Sequence, residues 1–598
     1  MKLIKNIGII VFATFTLTSC TDYLDPWEYT LATEDKAFEL TSYLNAMPNT
    51  AYSYLPKGFN NIGNSYMTAA SDESEEVDDM EAIQLFNNGT WNKYNNPDDI
   101  WADAYKGIRI ANNYLQGTDT LTWIGIRYSN PTEYTNRMIE LTRNRGEMHF
   151  LRAMFYFELF KRYGSVPLLK VKVNLENLDI SQYPQVDVDT IVKFIVNECE
   201  IASRTGKYAL STAQRDTLLK YNNKVLPSPY RDTVSVYYPT TGTYASRQGR
   251  ATLGSVLALK AKALVYAASK QFNTTNNTEK WKLAAKACKD VINLIATYPS
   301  YYKLSATYEG IFQPSTWGVW DNEYLFARKF GAFNTFDAAN FPISLQGGKT
   351  GNCPTAELVD AYEMADGTPF NWSNPAHASN PYSGRDPRLS KTIFTNNEKF
   401  NNAIALQSWV GGNAGPGIFH ASKTGYYLKK YINQTLDLNN NKTAPKIWSV
   451  MRLSEFYLFF AEAMNEAYGP ESDPEGYGMT ALQALNAVRT RPGVGMPAIA
   501  SGLNRDAFTA KIRHERRVEL AFEDVRFWDL RRWKVAENYL SGEIHGVSIV
   551  KNADESFTYT PNVKVETRVF DATKMYLHPI PQNEINKSGG VLKQNPNW

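Results

Sequence analysis

Residues 143–169 read RNRGEMHFLRAMFYFELFKRYGSVPLL, and their spacing decides the fold class. Met148, Leu151, Phe155 and Leu159 recur at three- and four-residue steps, which puts them on one face of a helix. Tyr163-Gly164, followed by Pro167, stops that helix, because glycine suits the left-handed cap and proline cannot continue the ladder. Upstream, the helical pattern runs back to Glu133. Ala153 and Phe157 form the A-x3-F fragment of a tetratricopeptide repeat.

Helical periodicity recurs in pairs on both sides of this stretch. Glu34–Leu55 pairs with Asp98–Gln116, and Glu133–Tyr163 with Val188–Arg204. Leu253–Lys270 pairs with Lys280–Ile295, and Leu453–Tyr468 with Met479–Arg489. In the third pair Val256, Leu259, Ala263 and Ala267 form a small-residue stripe suited to close helix packing. No strict 34-residue period is visible, yet about four stacked hairpins fit the pattern as a solenoid. Asp506–Leu540 reads as one long late helix, with i,i+3 pairs Arg516–Glu519, Glu523–Arg526 and Asp529–Arg532. Long polar, aromatic stretches interrupt the hairpins at Thr205–Arg250, Tyr298–Thr355 and Thr368–Ile447. Structureless loops of this length are usually functional. The expected fold is therefore mainly α: a tetratricopeptide-like solenoid carrying an irregular, loop-rich region with few short strands.

The chain has 598 residues, 43% of them hydrophobic, and a formal net charge of +2. Disorder as the main state is excluded by that apolar fraction. A general nucleic-acid binder would show a basic excess, which is missing. The first residues, MKLIKNIGIIVFATFTLTSC, place Lys2 and Lys5 before an apolar run from Ile7 to Leu17 and end in a cysteine. That is signal-peptide length, too short to span a bilayer comfortably. Leu17-Thr18-Ser19-Cys20 resembles the lipobox of bacterial lipoproteins, in which the cysteine becomes the lipidated N-terminus; an ordinary secretory signal is the plainer alternative. Removing residues 1–19 takes Lys2 and Lys5 with it, leaving 61 basic residues against 61 acidic ones. Cys199 and Cys288 fall in helical patterns as buried thiols, and Cys353 is the third remaining cysteine. No Cys/His ligand spacing points to a metal, and no cofactor motif is complete. The acidic run at Ser71–Ala82 reads as a solvated loop rather than a calcium site, since it lacks the EF-hand glycine and spacing.

Several segments together resemble the SusD/RagB family of outer-membrane nutrient-binding lipoproteins from Bacteroidetes. They include SCTDYLDP (19–26), the quoted 143–169 stretch, PTAELVDAYEMADGTP (354–369), RDPRL (385–389) and TGYYLKKY (424–431). RLSEFYLFFAEAMNEA (452–467), RRVELAFEDVRFWDLRRWK (516–534) and LHPIPQNEINKSGGVLKQNPNW (577–598) complete the set, in the family's order. The resemblance implies residues 1–19 as a lipoprotein signal peptide, 20–300 as the N-terminal helical region, and 301–598 as the C-terminal region with loop-rich insertions. It implies a lipid anchor at Cys20 in the outer membrane, with the body surface-exposed. It implies a SusC-like TonB-dependent transporter as partner, for which the protein is a lid delivering glycan, with no enzymatic role. Some relatives handle peptides instead.

Glycan binding needs flat aromatic faces beside convergent hydrogen-bonding groups. Asn87–Asn96 offers both, with Trp91, Asn92 and Tyr94 as candidates; the alternative for Trp91 is packing on its own scaffold. Trp317 and Trp320 sit in a Gly/Pro/Ser loop and form the second candidate, while Glu323–Phe326 reads as a core strand or helix start. Trp372 and Trp409 are third choices. Enzyme signatures fail one by one: His514-Glu515 lacks the second histidine of a zinc-protease helix, and no G-x-S-x-G occurs. A peptide-binding lid, a surface hydrolase with an unrecognised carboxylate pair, and a pure scaffold remain the competing readings.

Overall fold

The computed structural model describes residues 38, 40–119, 121, 123–174, 179–204, 234–238 and 245–598. Cys20 and the leader lie outside the described residues, as does most of the Thr205–Arg250 stretch.

All four hairpins form. Helices α1 (Thr41–Ser53) and α2 (Trp101–Gly117) pack together, as do α3 (Pro131–Tyr163) and α4 (Val188–Ala202). So do α5 (Leu253–Ala268) with α6 (Thr278–Ile292), and α7 (Leu453–Tyr468) with α8 (Ala481–Arg489). Each hairpin also meets the next, through α2 on α3, α4 on α5 and α6 on α7, which is the stacking of a helical-repeat solenoid. Local chemistry sets the ends. Asn130 accepts the Glu133 amide at 3.1 Å and Pro131 occupies the first turn of α3, while Gly164 (φ 70°) ends it. Met148, Leu151, Phe155 and Leu159 are buried as their spacing predicts. Gly107 of α2 lies where any Cβ would stand 2.2 Å from the Phe155 ring, so the α2–α3 approach depends on a residue without a side chain.

The loop-rich half carries its own apolar core, around Tyr66, Phe312, Phe336, Tyr431 and Trp448. Its strands are short and paired in twos. Tyr324–Phe333 pairs antiparallel with Ala444–Arg452, and the latter runs straight into α7. Gly542–Lys551 pairs with Phe557–Arg568 as a hairpin, and Ser74–Glu76 with Asn352–Pro354. The expected strand thus begins at Tyr324, directly after Glu323, with Tyr324 and Phe326 in the core.

Two expectations are corrected. The late helix is not continuous: α9 (Arg505–Glu519) ends, and α10 (Arg526–Arg532) begins after a break in which Phe522 and Asp524 take positive φ. Long side chains from elsewhere capture the carbonyls at the break. Arg452 and Tyr308 donate to the Glu519 carbonyl (2.8 and 3.2 Å), and Lys430 to that of Ala521 (2.8 Å). Of the three expected intrahelical pairs only Asp529–Arg532 forms (2.8 Å). Arg516 turns to Asp529, and Arg526 to Asp72. The acidic run is likewise a solvated loop only in its second half, from Asp78 to Ala82. Ser71–Val77 is buried, because guanidinium groups neutralise it: Arg526 and Arg517 hold Asp72, and Arg568 holds Glu75 at 2.7 Å. The carboxylates of Asp72 and Glu75, two of those that a calcium ion would need, are engaged by these arginines. The remaining cysteines, Cys199, Cys288 and Cys353, are free and buried.

Candidate functional site

The start of α5 builds one wall of a cavity. Thr252 and Ser255 form its capping box, and the Gly254 amide donates to the Tyr302 hydroxyl at 3.1 Å. A Cβ on Gly254 would lie 2.6 Å from the Tyr302 ring, so this approach also needs glycine. The Tyr302 hydroxyl in turn donates to the Val236 carbonyl at 2.6 Å, tying the 234–238 segment to the 298–302 segment. Burial pushes Tyr302 up to about 12, so it remains a neutral donor. On this frame Tyr237 and Tyr301 stack face to face, with centroids 3.4 Å apart and planes 13° apart. Consecutive tyrosines point opposite ways in both segments: Tyr238 and Tyr302 are buried, Tyr237 and Tyr301 turn outward.

Trp320 faces the same cavity, whose volume is ≈ 320 Å³. Its ring rests edge-on against the buried Tyr324 (5.3 Å, 71°), which fixes its orientation. Gln248, Arg250, Ser300 and Asn322 add amide, guanidinium and hydroxyl groups to the wall. Asn322 is held by its side-chain amide on the Ser300 carbonyl (3.1 Å). Arg250 is neutralised from behind by Glu147 (2.7 Å), which also accepts from the Tyr52 and Tyr238 hydroxyls at 2.9 Å each. The described wall is therefore aromatic, rich in hydrogen-bonding groups, and carries no carboxylate of its own. That is the chemistry that recognises a sugar ring.

The other predicted residues divide. Trp91 is not at the surface: it is 1% exposed, enclosed by Phe86, His578 and Trp598 with ring centroids 4.7–5.0 Å away. The expectation of a sugar platform there is corrected, because the C-terminal residue covers the ring. Tyr94 is 79% exposed and, with Lys93 and Pro581, lines a second cavity of ≈ 320 Å³. Asn92 is exposed but holds the turn, accepting the Tyr94 and Asn95 amides at 2.9 and 3.2 Å. Trp317 gives one face to Lys446, 4.0 Å from its centroid, and so covers the buried Lys446–Asp337 pair (3.0 Å). Trp372 donates to Asp360 at 2.9 Å, and burial pushes that carboxyl up to about 6. Trp409 is buried, only 9% exposed, and packs on Phe557 at 5.1 Å. The structure thus brings only Trp320 of these residues into the tyrosine cavity. Sequence reasoning misses Tyr237, Tyr301, Gln248 and Asn322, although the YY dipeptides at 237–238 and 301–302, inside the long polar loops, are an available signal.

Among the described residues no helix is long and apolar enough to cross a membrane. Two family models match the chain: one described as SusD family at residues 321–598, the other as starch-binding associating with outer membrane at residues 22–217. SusD-like protein P25 of Formosa agariphila is 22% identical over 94% of both chains. A solved SusD-like protein from Bacteroides fragilis is 26% identical with a TM-score of 0.69, covering 95% of this chain and 99% of that one. A SusD-like carbohydrate binding protein from the same species is 24% identical with a TM-score of 0.69, covering 92% and 98%. A laminarin binding SusD-like protein is 20% identical with a TM-score of 0.57, covering 93% and 99%.

Proposed function

Since the chain belongs to the SusD/RagB family, we propose that it is a glycan-binding lipoprotein of the outer membrane, anchored through Cys20, whose ligand lies across Tyr237, Tyr301 and Trp320. The observation that carries this reading is the cavity itself: two outward tyrosines and an edge-braced tryptophan beside amide and hydroxyl groups. An apolar sugar face packs on the rings while its hydroxyls bond to Gln248, Ser300 and Asn322. The described wall lacks the acid pair that glycoside hydrolysis requires, which supports binding without turnover. The role of lid to a SusC-like TonB-dependent transporter completes the proposal and rests on family membership. The anchor leaves the body tethered, so captured glycan stays beside the membrane.

Titration calorimetry against a glycan panel, using the chain starting after Cys20, tests the reading. Trp320→Ala and Tyr301→Ala are each expected to weaken the best ligand about tenfold or more, since an aromatic stacking partner contributes about 1 kcal/mol beyond its buried area. Unchanged affinity in both variants would move the site elsewhere, with the Tyr94 cavity next in line. Release of shorter sugars by the pure protein would favour a hydrolase, and binding of oligopeptides alone a peptide-capturing relative.

A further inference from the structure

A cavity of ≈ 500 Å³ opens between α9 and the segment from Arg526 to Tyr539. Along α9 its wall carries Asp506, Thr509, Arg513 and Arg517, at helical steps that make one stripe. The rise from Asp506 to Arg517 is about 16 Å, so the stripe has an acidic end and a basic end. Glu466 belongs to the acidic end, because its neighbour Asn465 bonds the Arg505 carbonyl and the Thr509 hydroxyl at 3.1 and 2.9 Å. At the basic end one carboxylate serves two arginines: Asp72 accepts both arms of Arg526 at 2.9 Å and Arg517 at 2.8 Å. The adjacent Glu73 is pushed up to about 8 by burial against the pull of Arg526 and Arg517, so at neutral pH it adds no second full charge.

Arg513 stands between the ends, and the carboxylate that acts on it, Glu466, does so through space without a close ion pair. Its guanidinium lies 4.9 Å from the Trp533 ring centroid, and among the described residues it makes no hydrogen bond or ion pair. Its Nε is buried and unpartnered, and so is the Nε of Arg517. A cation resting on an aromatic ring keeps its in-plane N–H groups available, and that fork matches the oxygens of a carboxylate or sulfate. We infer that this basic end is a second binding site, specific for an oxyanion, with Arg513 as its principal ligand and Arg517 as the second. The oxyanion is either free or borne on a sugar as a uronate or sulfate group.

Calorimetry on the full mature body with sodium sulfate, glucuronate and glucose separates these. Saturable binding of sulfate and glucuronate, competing with each other, and none of glucose is expected. Sulfate binding without glucuronate assigns the site to the free ion, and binding of both to a sugar-borne acid. Arg513→Ala should weaken either ligand roughly ten- to hundredfold, the loss of a charge-assisted hydrogen bond, and Arg513→Lys should recover part of it. Arg513 carries no ion pair, so its removal leaves the Asp72 cluster in place. No saturable heat with either anion, equal binding of glucose, or an unchanged affinity in Arg513→Ala would each overturn the inference, as would two anions that bind without competing. The site is independent of the sugar cavity: Trp320→Ala is expected to retain sulfate binding even where the glycan reading fails.

Discussion

The third helical hairpin and the seam at the end of α9 are equally buried and are held by opposite means. In the hairpin, α5 packs on α6, and Val256, Leu259, Ala263 and Ala267 of the first and Ala284, Ala285, Cys288 and Val291 of the second are all nearly or fully inaccessible. These residues stabilise it through apolar surface removed from water, and none of them has a partner that must be matched in charge. At the seam, Glu519 is fully buried and accepts Arg452 (2.8 Å), Arg491 (2.7 Å) and Arg388 (2.9 Å). Those arginines reach on to Glu323, Asp386 and Glu515, and so join the helices to the loop-rich half. Burial alone would raise the Glu519 carboxyl, yet Arg491, Arg452 and Arg388 hold it at about 2. Truncating an apolar side chain in the hairpin costs its own buried area and the cavity left behind. Removing the carboxylate at the seam leaves three buried cations sharing fewer counter-charges in low dielectric.

Glu519→Ala should therefore give the largest effect, a loss of about 3–5 kcal/mol in urea unfolding, because three guanidiniums keep their desolvation cost with one shared counter-charge fewer. Glu519→Gln, which keeps the shape but not the charge, should fall between. A loss no larger than that of a surface substitution would mean that the remaining carboxylates redistribute, and the contrast with the hairpin would collapse.

Leu259→Ala comes next, at about 2–4 kcal/mol, for a fully buried leucine replaced by a cavity. Its cost should be the same at pH 5 and pH 8, since no titratable group loses a partner. A pH-dependent cost would show that the hairpin borrows stability from charges after all, for instance from the Lys262–Glu455 pair (2.9 Å) beside it.

The two regions also differ in how far the sequence discloses them. The α5 stripe is legible because a helix repeats its buried face every three to four residues, and neighbours along the chain carry that information. The seam is not. Arg516, Glu519, Glu523 and Arg526 stand at intrahelical spacing, and local rules pair them; the fold pairs them with Asp529, Arg452, Lys430 and Asp72 instead. The ligand cavity repeats the lesson. Its loops are recognisable by length and composition, and Trp320 by its setting. That Trp91 is covered by Trp598, and that Tyr237 meets Tyr301, are encounters between distant segments with no period to betray them.

Asp524 supplies the finest test, because it sits in the same break as Glu523 but titrates in the opposite sense to Glu519. It accepts the Thr68 amide and hydroxyl at 3.0 Å each, with no cation paired to it among the described residues, and burial pushes its carboxyl up to about 7. A carboxyl raised above its unfolded value of about 3.9 holds a proton in the folded state that the unfolded chain has released. The stability that Asp524 contributes thus declines as pH rises from about 4 through about 7, and is constant beyond. Glu519, held low, does the reverse: its contribution is full above the unfolded carboxylate range and fades as pH falls toward about 2. Asp524→Asn removes the titration while keeping an oxygen for Thr68, and asparagine tolerates the φ of 57° at this position. The variant should match the wild type near pH 4 and exceed it by about 1–3 kcal/mol at pH 8, in urea unfolding followed across that range. A difference that stays constant with pH would mean that Asp524 is ionised throughout, and that Lys161, whose charge already favours its ionised form, pairs with it in solution.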